Sequence, residues 1–221
     1  MKAMILAAGR GERLRPLTDT LPKPLLAVGK YCLIEWHILR LSQAGISDIV
    51  INLSYLGDKI RKHLADGRRY GVNIAYSEEP DPALETGGGI FNALPLLGSE
   101  PFVVVNGDIW TDYPFEQLSP PQELAHLVLV NNPLHHPGGD FLLQGSQVLA
   151  QGEGQRYTYS GIGVYHPQLF AGCQPGRFPL APILREAMNV GRVTATLYAG
   201  RWYDIGTPQR LQAIREHVEA S

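Results

Sequence analysis

The sequence is poor in three features, each of which would point to a particular class of protein. It has only two cysteines, Cys32 and Cys173, in unlike contexts, which excludes a disulfide framework or a thiolate metal site and predicts a reducing, cytoplasmic location. Its formal net charge of −2 provides no basic surface for a nucleic-acid backbone. No apolar run reaches membrane length, and the run at 3–8 predicts a buried strand rather than a secretory signal. We therefore expect small-molecule substrates, without nucleic-acid or membrane partners.

The sequence does contain a regular alternation of apolar runs and helical segments. Apolar runs at 3–8, 48–53, 72–76 and 102–105 alternate with helical periodicity at 32–44, 57–66 and 88–97. This rhythm is typical of an α/β fold with a doubly wound, mostly parallel sheet.

After about residue 120 the pattern changes to short strands joined by turns rich in proline and glycine, which predicts a smaller lobe of mixed strands. The expected elements are strands at 125–131, 140–143, 147–150 and 157–165, a helix at 180–189, a strand at 193–199 and a helix at 208–219. Thr207 is expected to cap the last helix.

The first strand runs directly into a glycine loop that carries three arginines, Gly9-Arg10-Gly11-Glu12-Arg13-Leu14-Arg15. Glycines allow backbone N–H groups to approach anionic oxygens, and arginine side chains fit phosphate geometry, so the loop is suited to binding phosphates. A dinucleotide-binding fingerprint is excluded because Leu14 stands where its third glycine is needed. A P-loop is excluded too, since the only Gly-Lys pair is followed by Tyr31 and not by Ser or Thr.

Further along the loop, Lys23 lies between Pro22 and Pro24. The two prolines fix the backbone on either side, which limits the positions available to the ammonium group. A fixed cation suits a transition state that accumulates negative charge. On turn statistics alone, however, such a Pro-Lys-Pro segment is more often a surface turn.

Two aspartates follow strands at points where a parallel sheet binds ligands. Asp108 comes after the buried run 101–105, and Asp204 precedes the last helix. Magnesium in proteins takes one or two carboxylates and completes its shell with phosphate oxygens and water, so both aspartates are candidate ligands. Each also has a simpler interpretation, as a turn residue or as an acid near a helix N-terminus.

Taken together, the first loop resembles, position for position, the N-terminal motif of the sugar-nucleotide pyrophosphorylases, also called sugar-1-phosphate nucleotidyltransferases. The matching string is Gly9-x-Gly11-x-Arg13-Leu14-x-Pro16-Leu17-Thr18-x-x-x-Pro22-Lys23-Pro24. The resemblance implies a Rossmann-like nucleotidyltransferase fold that covers 1–221 as a single domain. In that domain, residues up to about 120 would form the nucleotide-binding half and 121–221 the sugar-binding half.

The resemblance also implies a role for each matching residue. The nucleotide-binding residues are Ala8, Gly9, Gly11, Glu12, Arg13, Lys23, Gly87 and Gly88, and the sugar-binding residues are Asn106, Gly139, Asp140 and Glu153. Lys23, Arg13 and Asp108 are implied to be catalytic, and Asp108 and Asp204 to bind Mg²⁺ as cofactor. From the local sequence alone, Gly87 and Gly88 fit a flexible helix entry equally well.

The substrates follow less directly from the sequence. The short chain resembles the compact members of the family that transfer a uridylyl group from UTP to N-acetylmuramic acid 1-phosphate in cell-wall recycling. Tyr159-Ser160-Gly161-Ile162 stands where the family has Asn-Thr-Gly-Ile, so an amino-sugar contact is missing or replaced. Mannose-1-phosphate guanylyl transfer and glucose-1-phosphate thymidylyl transfer stay open as alternatives. So does a nucleotide-sensing subunit without activity, although such a protein would be expected to lack Lys23 or Asp108.

His135 and His136 lie in a turn rich in proline and glycine and have no zinc spacing to another Cys or His. We expect a solvated pair without a functional role.

Overall fold

The computed structural model describes residues 1–219, which form thirteen strands and five helices besides short 3₁₀ turns. The strands are β1 (Lys2–Leu6), β2 (Ala27–Val28), β3 (Tyr31–Cys32), β4 (Asp48–Leu53), β5 (Asn73–Glu78), β6 (Phe102–Asn106), β7 (Ile109–Thr111), β8 (Ala125–Val130), β9 (Phe141–Gln144), β10 (Gln147–Leu149), β11 (Arg156–Tyr165), β12 (Val193–Tyr198) and β13 (Trp202–Asp204). The helices are α1 (Leu33–Gln43), α2 (Gly57–Leu64), α3 (Glu85–Leu97), α4 (Leu180–Asn189) and α5 (Pro208–Glu219). Among these residues, no helix combines the length and apolar character needed to cross a bilayer.

Nine strands form one continuous sheet in the order β5-β4-β1-β6-β11-β8-β12-β10-β9. The strands β5, β4, β1 and β6 are parallel, with β1 at the centre between β4 and β6. The long strand β11 is antiparallel to both β6 and β8 and so joins the parallel half to the mixed half. The predicted doubly wound α/β sheet is confirmed, and the mixed strands after residue 120 continue the same sheet.

Along the central strands, successive apolar side chains point to opposite faces of the sheet, and both faces are buried. On β1, Ala3 and Ile5 pack toward α1 and α2, whereas Met4 packs toward α3 and α4. Each fully buried aliphatic side chain contributes on the order of 1.5–3 kcal/mol, so helices are needed on both faces. A third apolar cluster holds α5, through Leu211 and Ile214, against the loop after β1.

Most predicted boundaries agree with the structure to within one or two residues, and Thr207 caps α5 by accepting a hydrogen bond from the Arg210 N–H at 3.3 Å. The exception is α3, which begins at Glu85 and not at residue 88, so Gly87 and Gly88 lie inside its first turn. This first turn is packed against a distant segment: the Gly88 N–H donates to the Phe178 carbonyl at 3.0 Å, and a Cβ atom on Gly88 would lie 2.2 Å from the carbonyl oxygen of Gly176. Glycine therefore lets a distant segment cross the start of this helix.

Candidate active site

A cleft of about 730 Å³ opens at the carboxyl ends of β1, β4, β5 and β6. Its walls come from the loop after β1, the start of α3, and the segment 106–108 that follows β6. In open α/β sheets this edge, where neighbouring strands diverge, is the usual ligand-binding position. The cleft collects six of the predicted nucleotide-binding residues, namely Ala8, Gly9, Gly11, Glu12, Arg13 and Lys23, together with Asn106 and Asp108.

The glycine loop keeps its shape by folding back on itself. Gly11 has a φ of 66°, in the left-handed region that favours glycine, and its carbonyl accepts a hydrogen bond from the Thr18 hydroxyl at 2.8 Å. A Cβ on Gly11 would lie 3.0 Å from Thr18 Cγ2 and 3.2 Å from Lys23 Cβ. Gly9, in contrast, has no atom within 4 Å of a Cβ position, so its backbone faces open space. The loop thus packs against Lys23 on one side and leaves room for a ligand on the other.

A chain of hydrogen bonds connects this loop to α3. The Asn52 amide oxygen accepts from the Ala7 N–H at 2.7 Å, and its NH₂ donates to Glu79 at 2.6 Å. The other oxygen of Glu79 accepts from the Leu84 N–H at 2.8 Å. The sequence interpretation missed Asn52 and Glu79. The sequence did contain a sign of them, because Asn52 is the one amide side chain in the apolar run of β4. A buried amide requires a polar partner.

Lys23 and Asp108 form an ion pair at the bottom of the cleft. Lys23 Nζ lies 2.8 Å from Asp108 Oδ2, and the two side chains are 10% and 47% exposed, respectively. Pro22 is extended and Lys23 begins a 3₁₀ turn, so the clamped lysine points inward and is not a surface turn. The other carboxylate oxygen of Asp108 has no hydrogen-bond partner within residues 1–219. It remains available to a ligand in the cleft.

The backbone around Asp108 is held on both sides. Gly107 donates to the Leu6 carbonyl at 2.9 Å, and a Cβ there would lie 2.5 Å from the same oxygen, so only glycine fits. On the other side, His37 Nε2 lies 2.9 Å from the Ile109 carbonyl. Burial lowers the pKa of His37 to about 4, so at neutral pH its ring is uncharged and donates this hydrogen bond from Nε2.

Folding also brings Asp204 next to Asp108. Strand β13 is antiparallel to β7, with Asp204 opposite Ile109, and the Ile205 N–H donates to the Asp108 carbonyl at 2.8 Å. The Asp204 carboxylate is paired with Arg210 through Oδ2. Its Oδ1 lies 2.9 Å from His135 Nε2 but is buried without a hydrogen bond of good geometry. The segments that carry the two aspartates are therefore hydrogen-bonded neighbours, and each carboxylate has a cation from the protein as its partner.

The predicted sugar-binding residues fall into two groups. Asn106 lines the cleft beside a bulge in β11, where a Cβ on Gly161 would lie 2.7 Å from its amide nitrogen. Gly139, Asp140 and Glu153 do not line the cleft. Asp140 accepts a hydrogen bond from the Tyr159 N–H at 2.8 Å, which fastens the preceding turn to β11. Glu153 lies on an exposed turn between β10 and β11.

Both histidines of the adjacent pair contact a predicted site aspartate. His135 lies against Asp204, and His136 Nε2 is 3.1 Å from Asp140 Oδ1. The sequence interpretation, which expected a solvated pair, missed both contacts, of which only the one between His135 and Asp204 joins distant parts of the chain. No spacing rule could have identified the His135 contact, whereas the His136 contact spans only four residues.

Gly87 and Gly88 lie beside the cleft without lining it. Both are buried in the first turn of α3 under the segment 176–178, and the Gly88 N–H donates to the Phe178 carbonyl at 3.0 Å. The residues of this region that do line the cleft are Glu85 and Thr86. The role of Gly87 and Gly88 in nucleotide binding stays a prediction.

A second polar cluster joins the start of α1 to α2. Ligand atoms of Cys32, Glu35 and His63 lie within 4.8 Å of one another. Glu35 already accepts hydrogen bonds from the Cys32 N–H at 2.8 Å and the Tyr70 hydroxyl at 2.5 Å. Burial alone would raise the pKa of Glu35, but these hydrogen bonds and the one with His63 lower it to about 2. The Cys32 thiol shifts the other way, because burial raises its pKa to about 12. A protonated thiol is a poor metal ligand, so we interpret the cluster as structural.

Comparisons with known proteins agree with this geometry. A profile of the nucleotidyl transferase family matches residues 2–122. The chain is 54% identical to an N-acetylmuramate alpha-1-phosphate uridylyltransferase of Neisseria meningitidis over 96% of both proteins. It is 33% identical to a protein of the same name from Caulobacter vibrioides, over 99% of this chain and 97% of that relative.

The fold agrees as well. It matches a solved structure from Bacillus anthracis, assigned as a glucose-1-phosphate thymidylyltransferase, with a TM-score of 0.87 and 25% identity over 100% of this chain and 96% of the other. The resemblance noted from the glycine loop is thereby confirmed. By sequence, fold and the position of its cleft, the chain belongs to the nucleotidyl transferase family, among the sugar-1-phosphate nucleotidyltransferases.

Proposed function

We propose that the protein transfers a uridylyl group from UTP to N-acetylmuramic acid 1-phosphate and releases pyrophosphate, as a step of peptidoglycan recycling. The observation that carries the proposal is the cleft in which the glycine loop, Lys23 and Asp108 converge, in a chain 54% identical over nearly its whole length to a uridylyltransferase of that specificity. A nucleotide sensor without activity would be expected to lack Lys23 or Asp108, and both line this cleft.

The reaction needs positioning and charge neutralisation more than proton transfer. An oxygen of the sugar phosphate attacks the α-phosphorus of UTP in line, a new P–O bond forms, and the bond to the β-phosphate breaks with its electron pair leaving on pyrophosphate. The attacking phosphate is already anionic at neutral pH, so no general base is required. Glycine-loop N–H groups and Arg13 bind the triphosphate, and Lys23 offsets charge during transfer.

The donor set at and beside the cleft fits Mg²⁺. Asp108 lines the cleft and has one carboxylate oxygen without a hydrogen-bond partner within residues 1–219. Asp204 lies beside the cleft lining, and its Oδ1 is a buried acceptor without a hydrogen bond of good geometry. Two carboxylates, with phosphate oxygens and water, are the ligands that magnesium prefers. When bound, the ion would supply electrophilic stabilisation of the reacting phosphates. The residues that would hold it are Asp108 and Asp204.

The sugar-binding role proposed for Asn106 is supported by its position in the lining of the cleft. For Gly139, Asp140 and Glu153 the support is weaker, because they lie on turns outside the cleft lining. N-acetylmuramic acid carries a carboxylate on its lactyl ether, and an unpaired buried charge is costly. We propose that this group projects toward the solvated edge. The cytoplasmic location stays a prediction from the cysteine content.

The function is tested by measuring pyrophosphate release for each of four nucleoside triphosphates against four sugar 1-phosphates: N-acetylmuramic acid, N-acetylglucosamine, glucose and mannose. Lys23→Met prepared in parallel controls for contaminating activity. We expect the highest kcat/KM with UTP and N-acetylmuramic acid 1-phosphate. A preference for N-acetylglucosamine 1-phosphate, or for mannose 1-phosphate with GTP, contradicts the substrate assignment. Absence of release with every pair contradicts nucleotidyl transfer itself.

A further inference from the structure

Two arginine side chains from distant parts of the chain meet at Gly206. A Cβ on Gly206 would lie 2.3 Å from NH2 of Arg210 and 3.0 Å from NH2 of Arg13. Arg13 comes from the glycine loop after β1, and Arg210 from the first turn of α5. Gly206 and Arg13 both line the cleft. The missing side chain at Gly206 therefore leaves room for two guanidinium groups at the edge of the candidate active site.

Arg210 is held in a fixed orientation. Its NH1 is paired with Asp204 and lies 2.7 Å from His135 Nε2, and its Nε lies 3.4 Å from the Thr207 hydroxyl. Its NH2 makes no hydrogen bond within residues 1–219. The nitrogen of Arg210 without a hydrogen bond is therefore NH2, which lies beside Gly206 as Arg13 NH2 does.

Arg13 has no ion-pair partner in the part of the chain that the structure describes. Two guanidinium groups this close repel each other, and Asp204 offsets only one positive charge. An anion with several oxygens would remove the repulsion and accept hydrogen bonds from both groups, as phosphate does from arginine clusters. The free nitrogens and the unpaired charge together indicate an anion site.

We propose that Arg210 and Arg13 together bind the β- and γ-phosphates of the nucleotide, the part that leaves as pyrophosphate. The proposal rests on the proposed function and adds a binding residue to it. Arg13 belongs to the glycine loop that is proposed to bind the triphosphate, and Arg13 and Gly206 both line the cleft. Pyrophosphate is the most highly charged fragment in the reaction, so it gains most from two adjacent cations.

The test compares Arg210→Gln with Arg215→Gln, which removes the same charge from the same helix where the side chain donates to the Ala27 carbonyl. Inorganic pyrophosphate is titrated into each protein by calorimetry at several fixed Mg²⁺ concentrations. We expect Arg210→Gln to weaken pyrophosphate binding by roughly tenfold to a hundredfold, as for loss of one charged hydrogen-bonding group. Arg215→Gln should bind as the unaltered protein does.

Two further variants separate binding from folding. Arg210→Lys keeps the charge but loses the fork, so it should show intermediate pyrophosphate affinity. Gly206→Ala places a methyl group against Arg210 NH2 and should also weaken pyrophosphate binding. In each variant the KM for the sugar 1-phosphate should stay within about twofold of the unaltered value, because the proposed contact is with the other substrate.

The inference is overturned if Arg210→Gln binds pyrophosphate as tightly as Arg215→Gln does. It is also overturned if only the KM for the sugar phosphate rises, or if the defect disappears at saturating Mg²⁺, since Arg210 would then act through Asp204. Failure of the proposed function looks different: the unaltered protein would transfer no uridylyl group, whatever the effect of Arg210 on pyrophosphate binding.

Discussion

Replacing Asp108 by Asn removes one negative charge and almost no volume. Asn keeps an oxygen that can accept from Lys23 Nζ, now 2.8 Å from Asp108 Oδ2. The surrounding backbone is fixed independently, by Gly107 against Leu6 and by His37 at Ile109. The substitution therefore tests the charge of the carboxylate with little change in the shape of the cleft.

The structure predicts different magnitudes for stability and for catalysis. The Asp108 side chain is 47% exposed, so solvent screens its ion pair, and pairs of this kind contribute about 0–1 kcal/mol. We expect the free energy of unfolding to fall by no more than about 1 kcal/mol. A catalytic metal supplies several kcal/mol of transition-state stabilisation, so kcat should fall on the order of a hundredfold or more, equivalent to about 2.7 kcal/mol.

The assay is pyrophosphate release at saturating UTP, sugar 1-phosphate and Mg²⁺, with thermal unfolding of the same samples. Asp66→Asn is the matched control, because Asp66 is a similarly exposed aspartate that is paired with Arg68 at 3.2 Å and does not line the cleft. Normal turnover of Asp108→Asn refutes the reasoning, as does activity of the unaltered protein that EDTA leaves unchanged.

The remaining predictions concern Lys23 and His37. Lys23→Met should lower kcat by at least about a hundredfold and raise the KM for UTP much less, because charge rearranges mostly during transfer; a raised KM with normal kcat would show that Lys23 only binds. The pKa of His37 is about 4 in the folded protein, compared with an ordinary value of 6.5. As the pH falls, His37 is therefore protonated in the unfolded chain before it is protonated in the folded protein. The stabilisation that comes from keeping His37 neutral is fully present above pH 6.5 and should be lost as the pH falls toward 4. Over this range the free energy of unfolding should decrease by about 1.4 kcal/mol per pH unit. His37→Gln should flatten urea-unfolding stability between pH 6.5 and 4.5, and an unchanged pH dependence contradicts this assignment.

The elements could be predicted from sequence because their signals are local. The apolar run 48–53 coincides with β4, and the segments 180–189 and 208–219 coincide with α4 and α5. In each case periodicity or a cap residue within one element determines the assignment. The start of α3 was misplaced by three residues, and its first turn is hydrogen-bonded to the Phe178 carbonyl, a contact that no local pattern contains.

The site could be predicted in part. The glycine loop, Lys23 and Asp108 lie within two continuous segments, so their motif is readable and the structure brings them together. The short strands β7 and β13 escaped prediction because three residues carry no periodicity, yet their pairing is what brings Asp204 to Asp108. A contact that joins distant segments, such as that of Asp204 with His135, has no signature in the sequence.

The partners of the two aspartates also explain how the protein tolerates two carboxylates at this site. Two carboxylates on neighbouring backbone positions repel each other unless cations offset them. Lys23 at Asp108 and Arg210 at Asp204 supply that offset from inside the protein. Since both cations are proposed to contact phosphates during the reaction, the same side chains stabilise the free protein and bind its substrate. For a substitution of Lys23 or Arg210, the loss of activity therefore has to be compared with the change in the free energy of unfolding. If the side chain only binds substrate, the free energy of unfolding stays nearly the same.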